Sequence, residues 1–197
     1  MLSINKDQLK YTSCYCEENI YLLCKTIKDQ FPSKLDDCFV IFISNKKEQI
    51  PMWYQRRGQI LDEGLVVWDY HVILLVKDTQ SGDQNKKDYI YDFDTLLSFP
   101  SLFSTYVQKS FRPFFPLLDK YKRSFRKIPA KVYLDQFASD RSHMIDNGIY
   151  KAPPPDYPPI ISNYETNTLP YFRDMTQTIN ADKYGKVVSE DEFFRVE

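Results

Sequence analysis

Two histidines occur in the chain, His71 and His143. His71 stands in Trp68-Asp69-Tyr70-His71-Val72, inside the strongest predicted strand, Leu65 to Asp78. Side chains alternate along a strand, so Val67, Asp69, His71, Ile73 and Leu75 are predicted to share one face. Ionisable groups on such a face need partners, because unpaired buried charge is costly. The next predicted strand, Asp88 to Thr95, supplies them, with Asp92 and Asp94 on one face beside Ile90. An antiparallel hairpin with His71 opposite Asp92 leaves the turn-rich loop Thr79 to Lys87 between the strands. A carboxylate on one ring nitrogen fixes the tautomer and raises the basicity of the ring. The same two residues could equally form a pair that only satisfies itself at a sheet edge.

A nucleophile changes the weight of that pair. Cys14 and Cys16 lie in Ser13-Cys14-Tyr15-Cys16-Glu17-Glu18-Asn19, at the predicted start of the first helix. Unpaired N–H groups and the macrodipole at a helix start stabilise a thiolate. Glu17 and Glu18 suit that dipole but oppose a thiolate if they face it. A cysteine on a helix start, facing a histidine and an aspartate on strands, is a layout for nucleophilic acyl chemistry. Residue physics alone leaves Cys14 and Cys16 as rivals. Cys24 and Cys38 read as packed core thiols. Cys14, Cys16 and His71 make a poor zinc set, because structural zinc sites space their cysteines more widely and a fourth ligand is not evident.

The elements that position these groups follow from pattern. Ile20, Leu23, Cys24 and Ile27 recur at helical spacing within Glu17 to Gln30, and Pro32 ends that helix. Cys38 to Ser44 reads as a buried strand, and Ile50 to Arg56 as a second one after a turn. Ser98 to Phe115 reads as one short helix with irregular ends, and Lys131 to Phe137 as an amphipathic helix or connector. Five of the 12 prolines fall between Pro153 and Pro159, which predicts an extended surface strap over about 152–159. The part from about 163 to 197 is polar and weakly patterned. The order of elements predicts one α+β domain over 1–197 with an antiparallel sheet.

Composition removes several classes. With 26 Lys+Arg against 27 Asp+Glu the net charge is −1, which argues against a nucleic-acid binder. Only 5 glycines occur and no GxxxxGK[ST] or GxGxxG is present, so Gly-rich phosphate loops are excluded. The apolar runs are too short to span a membrane, and the N-terminus does not read as a signal peptide. The 4 cysteines are therefore expected as free thiols of a cytosolic or nucleocytoplasmic protein.

Several blocks together resemble one family. They are Ser13 to Asn19, Val40-Ile-Phe-Ile-Ser-Asn45, Ile50-Pro-Met-Trp53, Trp68-Asp-Tyr-His-Val72, Ile90-Tyr-Asp-Phe-Asp-Thr95, Phe137-Ala-Ser-Asp-Arg-Ser-His-Met144 and Pro153-Pro-Pro155. In this order, from about Tyr11 to about Ile160, they resemble the eukaryotic protein N-terminal glutamine amidohydrolases. The resemblance implies a papain-like, transglutaminase-like α+β fold. It implies removal of the side-chain amide from an N-terminal glutamine, leaving a glutamate open to arginylation in the N-degron pathway. It puts a catalytic triad on Cys16, His71 and Asp92, choosing Cys16 over Cys14 and Asp92 over Asp94. It implies no metal and no cofactor.

The substrate's free α-ammonium needs acceptors, and Asp69 and Asp94 are the candidates, with Cys14 beside them as a substrate-binding residue. The expected partners are proteins or peptides with N-terminal Gln, with a functional link to an arginyltransferase. A cleft that accepts other proteins' N-termini favours a monomer. Lys120 to Lys131 carries six basic residues and no acidic one, and reads as a solvated face. His143 reads as a hydrogen-bonded residue near the site, with Asp140 and Arg141 pairing nearby. Two other readings use the same residues: a papain-like protease or transglutaminase, and a non-catalytic module that binds N-termini.

Overall fold

The computed structural model describes residues 2, 4–79, 87–176 and 180–195. Its first long element is helix α1, Cys16–Gln30. Ile20, Leu23, Cys24 and Ile27 are buried along one stripe, as their spacing predicts. The helix stops at Phe31, ahead of Pro32. Strand β1 is Cys38–Ser44, followed by β2 (Ile50–Met52), β3 (Val66–Trp68), β4 (Tyr70–Val76), β5 (Tyr89–Tyr91) and β6 (Ser101–Leu102). Helix α2 (Phe103–Tyr106) runs into a π-turn at Val107–Phe111. Then come β7 (Ser124–Pro129), α3 (Ala130–Gln136), the small pair β8 (Ile145–Asp146) and β9 (Ile149–Tyr150), α4 (Leu169–Arg173), α5 (Ala181–Tyr184), β10 (Lys186–Ser189) and α6 (Glu190–Phe194).

Six strands form one antiparallel sheet in the order β10-β7-β1-β4-β5-β6. Alternation divides its side chains between two apolar layers. Val40, Phe42, Val72 and Leu74 pack with α1, α3 and α4 on one side. Ile41, Ile43, Ile73 and Leu75 pack with α2, the π-turn and α6 on the other. The α+β class with an antiparallel sheet is therefore present.

The long strand predicted over Leu65 to Asp78 is two strands. The chain changes sheets at Asp69: β3 pairs with β2 in a separate ribbon, while β4 pairs with β1. The Ser44 hydroxyl donates to the Asp69 carbonyl at 2.7 Å and fixes the break. The second predicted strand, Ile50 to Arg56, is cut to three residues, because Tyr54 takes a left-handed conformation, φ +56°. Ser98 to Phe115 is a short strand, a helical turn and a π-turn rather than one helix.

The hairpin register also differs. Leu74 faces Tyr91, Leu75 faces Ile90 and Val76 faces Tyr89, so the ladder is shifted by two residues from His71 opposite Asp92. The Asp92 carboxylate accepts the Asp94 N–H at 2.9 Å and turns the chain out of the ladder after Tyr91. A shift of two leaves every side chain on its face, which is why the predicted contact survives. The predicted loop from Thr79 to Lys87 lies mostly outside the described residues.

Two further expectations are corrected. Arg123 and Arg126 in the basic block are buried, not solvated. Arg123 pairs with Glu190 and donates to the carbonyls of Pro51 and Phe111. Arg126 donates to the carbonyls of Asp174 and Gly185. Both thus tie the C-terminal segments to β7. Those segments are more ordered than their weak pattern predicts. β10 adds a strand beside β7, and Phe193 stacks on Phe125 with centroids 4.3 Å apart. Each of the short helices α4, α5 and α6 carries one buried aromatic, Phe172, Tyr184 and Phe193, too sparse a pattern to read as periodicity.

Candidate active site

Cys16 is the first residue of α1, and no side chain caps that end of the helix. The first-turn N–H groups therefore keep their positive pole. Asn19 holds the loop before the helix through both its amide atoms: it accepts the Thr12 N–H and donates to the Thr12 carbonyl, each at 2.8 Å. Cys16 is half-buried and lines a cleft of about 400 Å³. The backbone N–H of Val72, next in chain to His71, favours its thiolate.

His71 is fully buried in β4, with Trp68 stacked on its ring at 5.0 Å. Its Nε2 meets Asp92 Oδ1 at 2.9 Å. Asp92 also accepts the Tyr106 hydroxyl at 2.7 Å and the Gln55 amide at 3.5 Å on its other oxygen. Burial pushes the Asp92 carboxyl up, but the His71 charge, their hydrogen bond and the Tyr106 hydroxyl outweigh it and hold the group below its ordinary value. Burial likewise pushes His71 down, and the Asp92 charge and hydrogen bond lift it above its ordinary value. The other ring nitrogen, Nδ1, is buried and has no hydrogen-bond partner among the described residues.

The Cys16 thiol donates to Glu17 Oε2 at 3.6 Å. Among the described residues it makes no hydrogen bond to His71. Burial, then the negative charges of Glu17, Asp94 and Asp69, push the thiol well above its ordinary value, against the Val72 N–H. The sequence reading left open whether the two glutamates face the thiol. Glu17 does, and it also accepts the Tyr70 hydroxyl at 3.0 Å. Glu18 turns away into a two-pronged pair with Arg141, both contacts 2.8 Å.

Around this centre the candidates separate. Asp94 lines the cleft with Cys16, accepts the Tyr11 hydroxyl at 2.5 Å, and is raised by burial and by Asp92. Asp69 lines the cleft too, but with its side chain 58% exposed and 3.6 Å from Arg173, not on the His71 face of one strand. Cys14 sits in the same cleft in a left-handed conformation, φ +72°, under the Arg57 guanidinium. His143 lies 3.5 Å from Glu17 and 3.3 Å from the Tyr70 hydroxyl. Asp140 does not pair with Arg141; it accepts the Ser142 N–H and the Asn167 amide. Arg141 also donates to the Tyr157 carbonyl, and Tyr15 to that of Ala152, so the proline segment is strapped across the start of α1.

His71, Asp92 and Asp94 bring one donor atom each within 4.8 Å of one another. A cation there would have to break the His71–Asp92 hydrogen bond, so the set fits an imidazole held by a carboxylate better than a metal centre. Sequence reasoning missed Tyr106, Gln55, Trp68 and Tyr11 as partners. Tyr106 and Gln55 carried no local signal, since nothing in their neighbourhoods points to a buried carboxylate far along the chain.

Residues 11–196 match the family model described as N-terminal glutamine amidase. The chain is 44% identical over 191 residues to the protein N-terminal glutamine amidohydrolase of Homo sapiens, covering 95% of this chain and 87% of the human one. It is 44% identical over 191 residues to that of Bos taurus, covering 95% and 86%. It is 41% identical over 160 residues to that of Drosophila grimshawi, covering 81% and 75%. The match reaches well past Asn163, into the C-terminal part where motif reading stopped. The chain belongs to the N-terminal glutamine amidase family.

Proposed function

We propose that this protein hydrolyses the side-chain amide of an N-terminal glutamine, giving N-terminal glutamate and ammonia. The observation that carries the reading is the His71–Asp92 pair, with Asp92 on Nε2 and no partner on Nδ1 among the described residues; it is supported by Cys16, which stands at an uncapped helix start and lines a cleft walled by Trp68 to Tyr70, the residues just before His71. This supports a papain-like, transglutaminase-like cysteine hydrolase mechanism. Cys16 loses its proton to His71 Nδ1 and attacks the side-chain carbonyl carbon. First-turn N–H groups of α1, including that of Cys16, stabilise the oxyanion. His71 returns its proton to the departing nitrogen, and ammonia leaves. A glutamyl thioester remains. His71 then takes a proton from water, the hydroxide adds to the thioester, and glutamate departs as the thiol is restored. Asp92 orients the ring throughout. The scheme needs no cofactor.

The α-ammonium of the substrate is taken by carboxylates in the cleft, Asp94 foremost and Asp69 at its rim, with Cys14 lining the entry. An N-terminal asparagine, one methylene shorter, leaves its carbonyl short of Cys16, and such misplacement costs much of the rate. The whole chain acts as one amidohydrolase domain, a monomer with an open cleft. It works in the cytosol or nucleus, where its product is a substrate for arginylation and so enters the N-degron pathway.

The test uses three peptides: Gln first, Asn first, and Gln second behind Gly. Ammonia is followed, with Cys16→Ala as control. Release from the Gln-first peptide alone, abolished in Cys16→Ala, is expected. Release from the internal Gln would overturn it in favour of a transglutaminase-type or general deamidase. Stoichiometric binding without release would leave a module that binds N-termini.

A further inference from the structure

Resting on the amidase reading, we infer that the substrate's own α-ammonium, seated against Asp94 and Asp69, switches on the nucleophile by allowing the Cys16 proton to pass to His71. The resting site is built to keep that proton on sulfur. Three carboxylates from three different segments surround the thiol's cleft: Glu17, from its own helix, is hydrogen-bonded to it, and Asp69, from the break before β4, and Asp94, from the turn after β5, line the cleft with it. Glu17 accepts the thiol proton in a hydrogen bond. His71, the intended acceptor, has its Nδ1 without a partner among the described residues. Negative charge on three sides disfavours a thiolate.

The cations nearby are each held by other groups as well. Arg57, the cationic side chain of the cleft wall, lies on Cys14 and over the Trp68 ring. Arg173 reaches Asp69 only at 3.6 Å while bonding Glu48 at 2.8 Å. His143 stands behind Glu17, and Tyr70 bridges the two. Arg56 donates its Nε to the Thr95 carbonyl and Lys6 its Nζ to the Phe93 carbonyl; the charge of each favours ionised Asp94, but neither makes a hydrogen bond to its carboxylate among the described residues. Asp94 has one oxygen occupied by Tyr11, and among the described residues no donor takes the other. A buried carboxylate with a vacant oxygen, opening on the cleft that holds the nucleophile, fits a primary ammonium.

An ammonium placed there adds one positive charge beside Asp94 and Asp69 and so offsets one of their two negative charges as seen by sulfur. The proton then moves from Sγ to Nδ1, giving a thiolate and an imidazolium backed by Asp92. An internal glutamine or an acetylated N-terminus brings no cation and leaves the thiol protonated. Selection of a free N-terminus is thereby expressed in thiol reactivity as well as in binding.

The test alkylates Cys16 with iodoacetamide, a neutral electrophile, near neutral pH, with the modified peptide identified by mass. Asp94→Asn should alkylate faster than wild type, by about tenfold for each unit its thiol pKa falls. The same variant should lose about 10- to 100-fold in kcat/KM on a Gln-first peptide, as for loss of a charged hydrogen bond. A merely structural loss would lower both. On the wild type, an Ala-first peptide, which supplies the ammonium without filling the amide pocket, should speed alkylation, and its N-acetylated form should not. If Asp94→Asn does not fold, Asp69→Asn, at an exposed side chain, and the two Ala peptides carry the test. Alkylation no faster in the Asn variants, or equal acceleration by the acetylated peptide, overturns the inference. Ammonia release by the wild type reports separately: silence on the Gln-first peptide overturns the amidase reading, and unchanged alkylation overturns this one.

Discussion

His71 and Asp92 pull each other's acidity in opposite directions, and the pair's contribution to stability follows from the signs. Asp92 is lowered in the fold, so its contribution is present above its ordinary 3.8 and is lost as pH falls through the lower folded value. His71 is raised, so its contribution is present below its ordinary 6.5 and is lost as pH rises through the higher folded value. Both are fully present between 3.8 and 6.5. The Tm gap between wild type and Asp92→Asn should therefore be widest in that window and narrow on both sides. A gap independent of pH would show that the pair is not ionised in the fold. Asp92→Asn should also lose about 10²- to 10⁴-fold in kcat, the scale of positioned acid–base catalysis.

At the scale of elements, the start of α1 is clamped rather than capped. Glu18 and Arg141 are both buried, and their two-pronged pair joins the first turn of the helix to the segment after α3. Removing one partner leaves a buried charge unpaired, which costs about 3–5 kcal/mol. Glu18→Ala is expected to lose about that much in denaturant unfolding. It should also lose activity under conditions where it is still folded, because the same turn carries Cys16. A stability loss with full activity would show that the clamp does not hold Cys16 in a working position. Gly185 plays a similar role at β10. It sits at φ +77°, and a Cβ there would collide with the Lys127 carbonyl across the ladder to β7.

For the whole molecule, the segments after Ile161 complete both apolar layers. Phe172 packs on Phe42 and Tyr133, Tyr184 on Phe172, and Phe193 on Phe125. Burying three such rings contributes roughly 5–9 kcal/mol by area alone. A domain's net stability is only about 5–15 kcal/mol. A chain ending at Ile161 is therefore expected to lose cooperative unfolding and to aggregate, read by calorimetry and light scattering, although Cys16, His71 and Asp92 all remain. A truncated chain that unfolds with the full-length Tm would show the C-terminal segments to be accessory.

Some of this was determined by the sequence on its own. The α1 stripe, the β1 strand, the shared face of His71 and Asp92, and the cysteine at the helix start all follow from local periodicity, which short stretches of chain carry in full. The ordered blocks from Tyr11 to Ile160 carried the family. Other features were decided only by tertiary structure, because they depend on which distant segments meet. The break at Asp69 arises because β2 captures β3 while β1 keeps β4. The two-residue register shift arises because the Asp92 side chain bonds its own backbone and ends β5. The burial of Arg123 and Arg126 depends on carbonyls and a carboxylate up to dozens of residues away, which no basic run announces. The orientation of Glu17 toward the thiol and of Glu18 toward Arg141 is a matter of helix phase against neighbours. Two adjacent, chemically identical residues thus received opposite roles from packing alone.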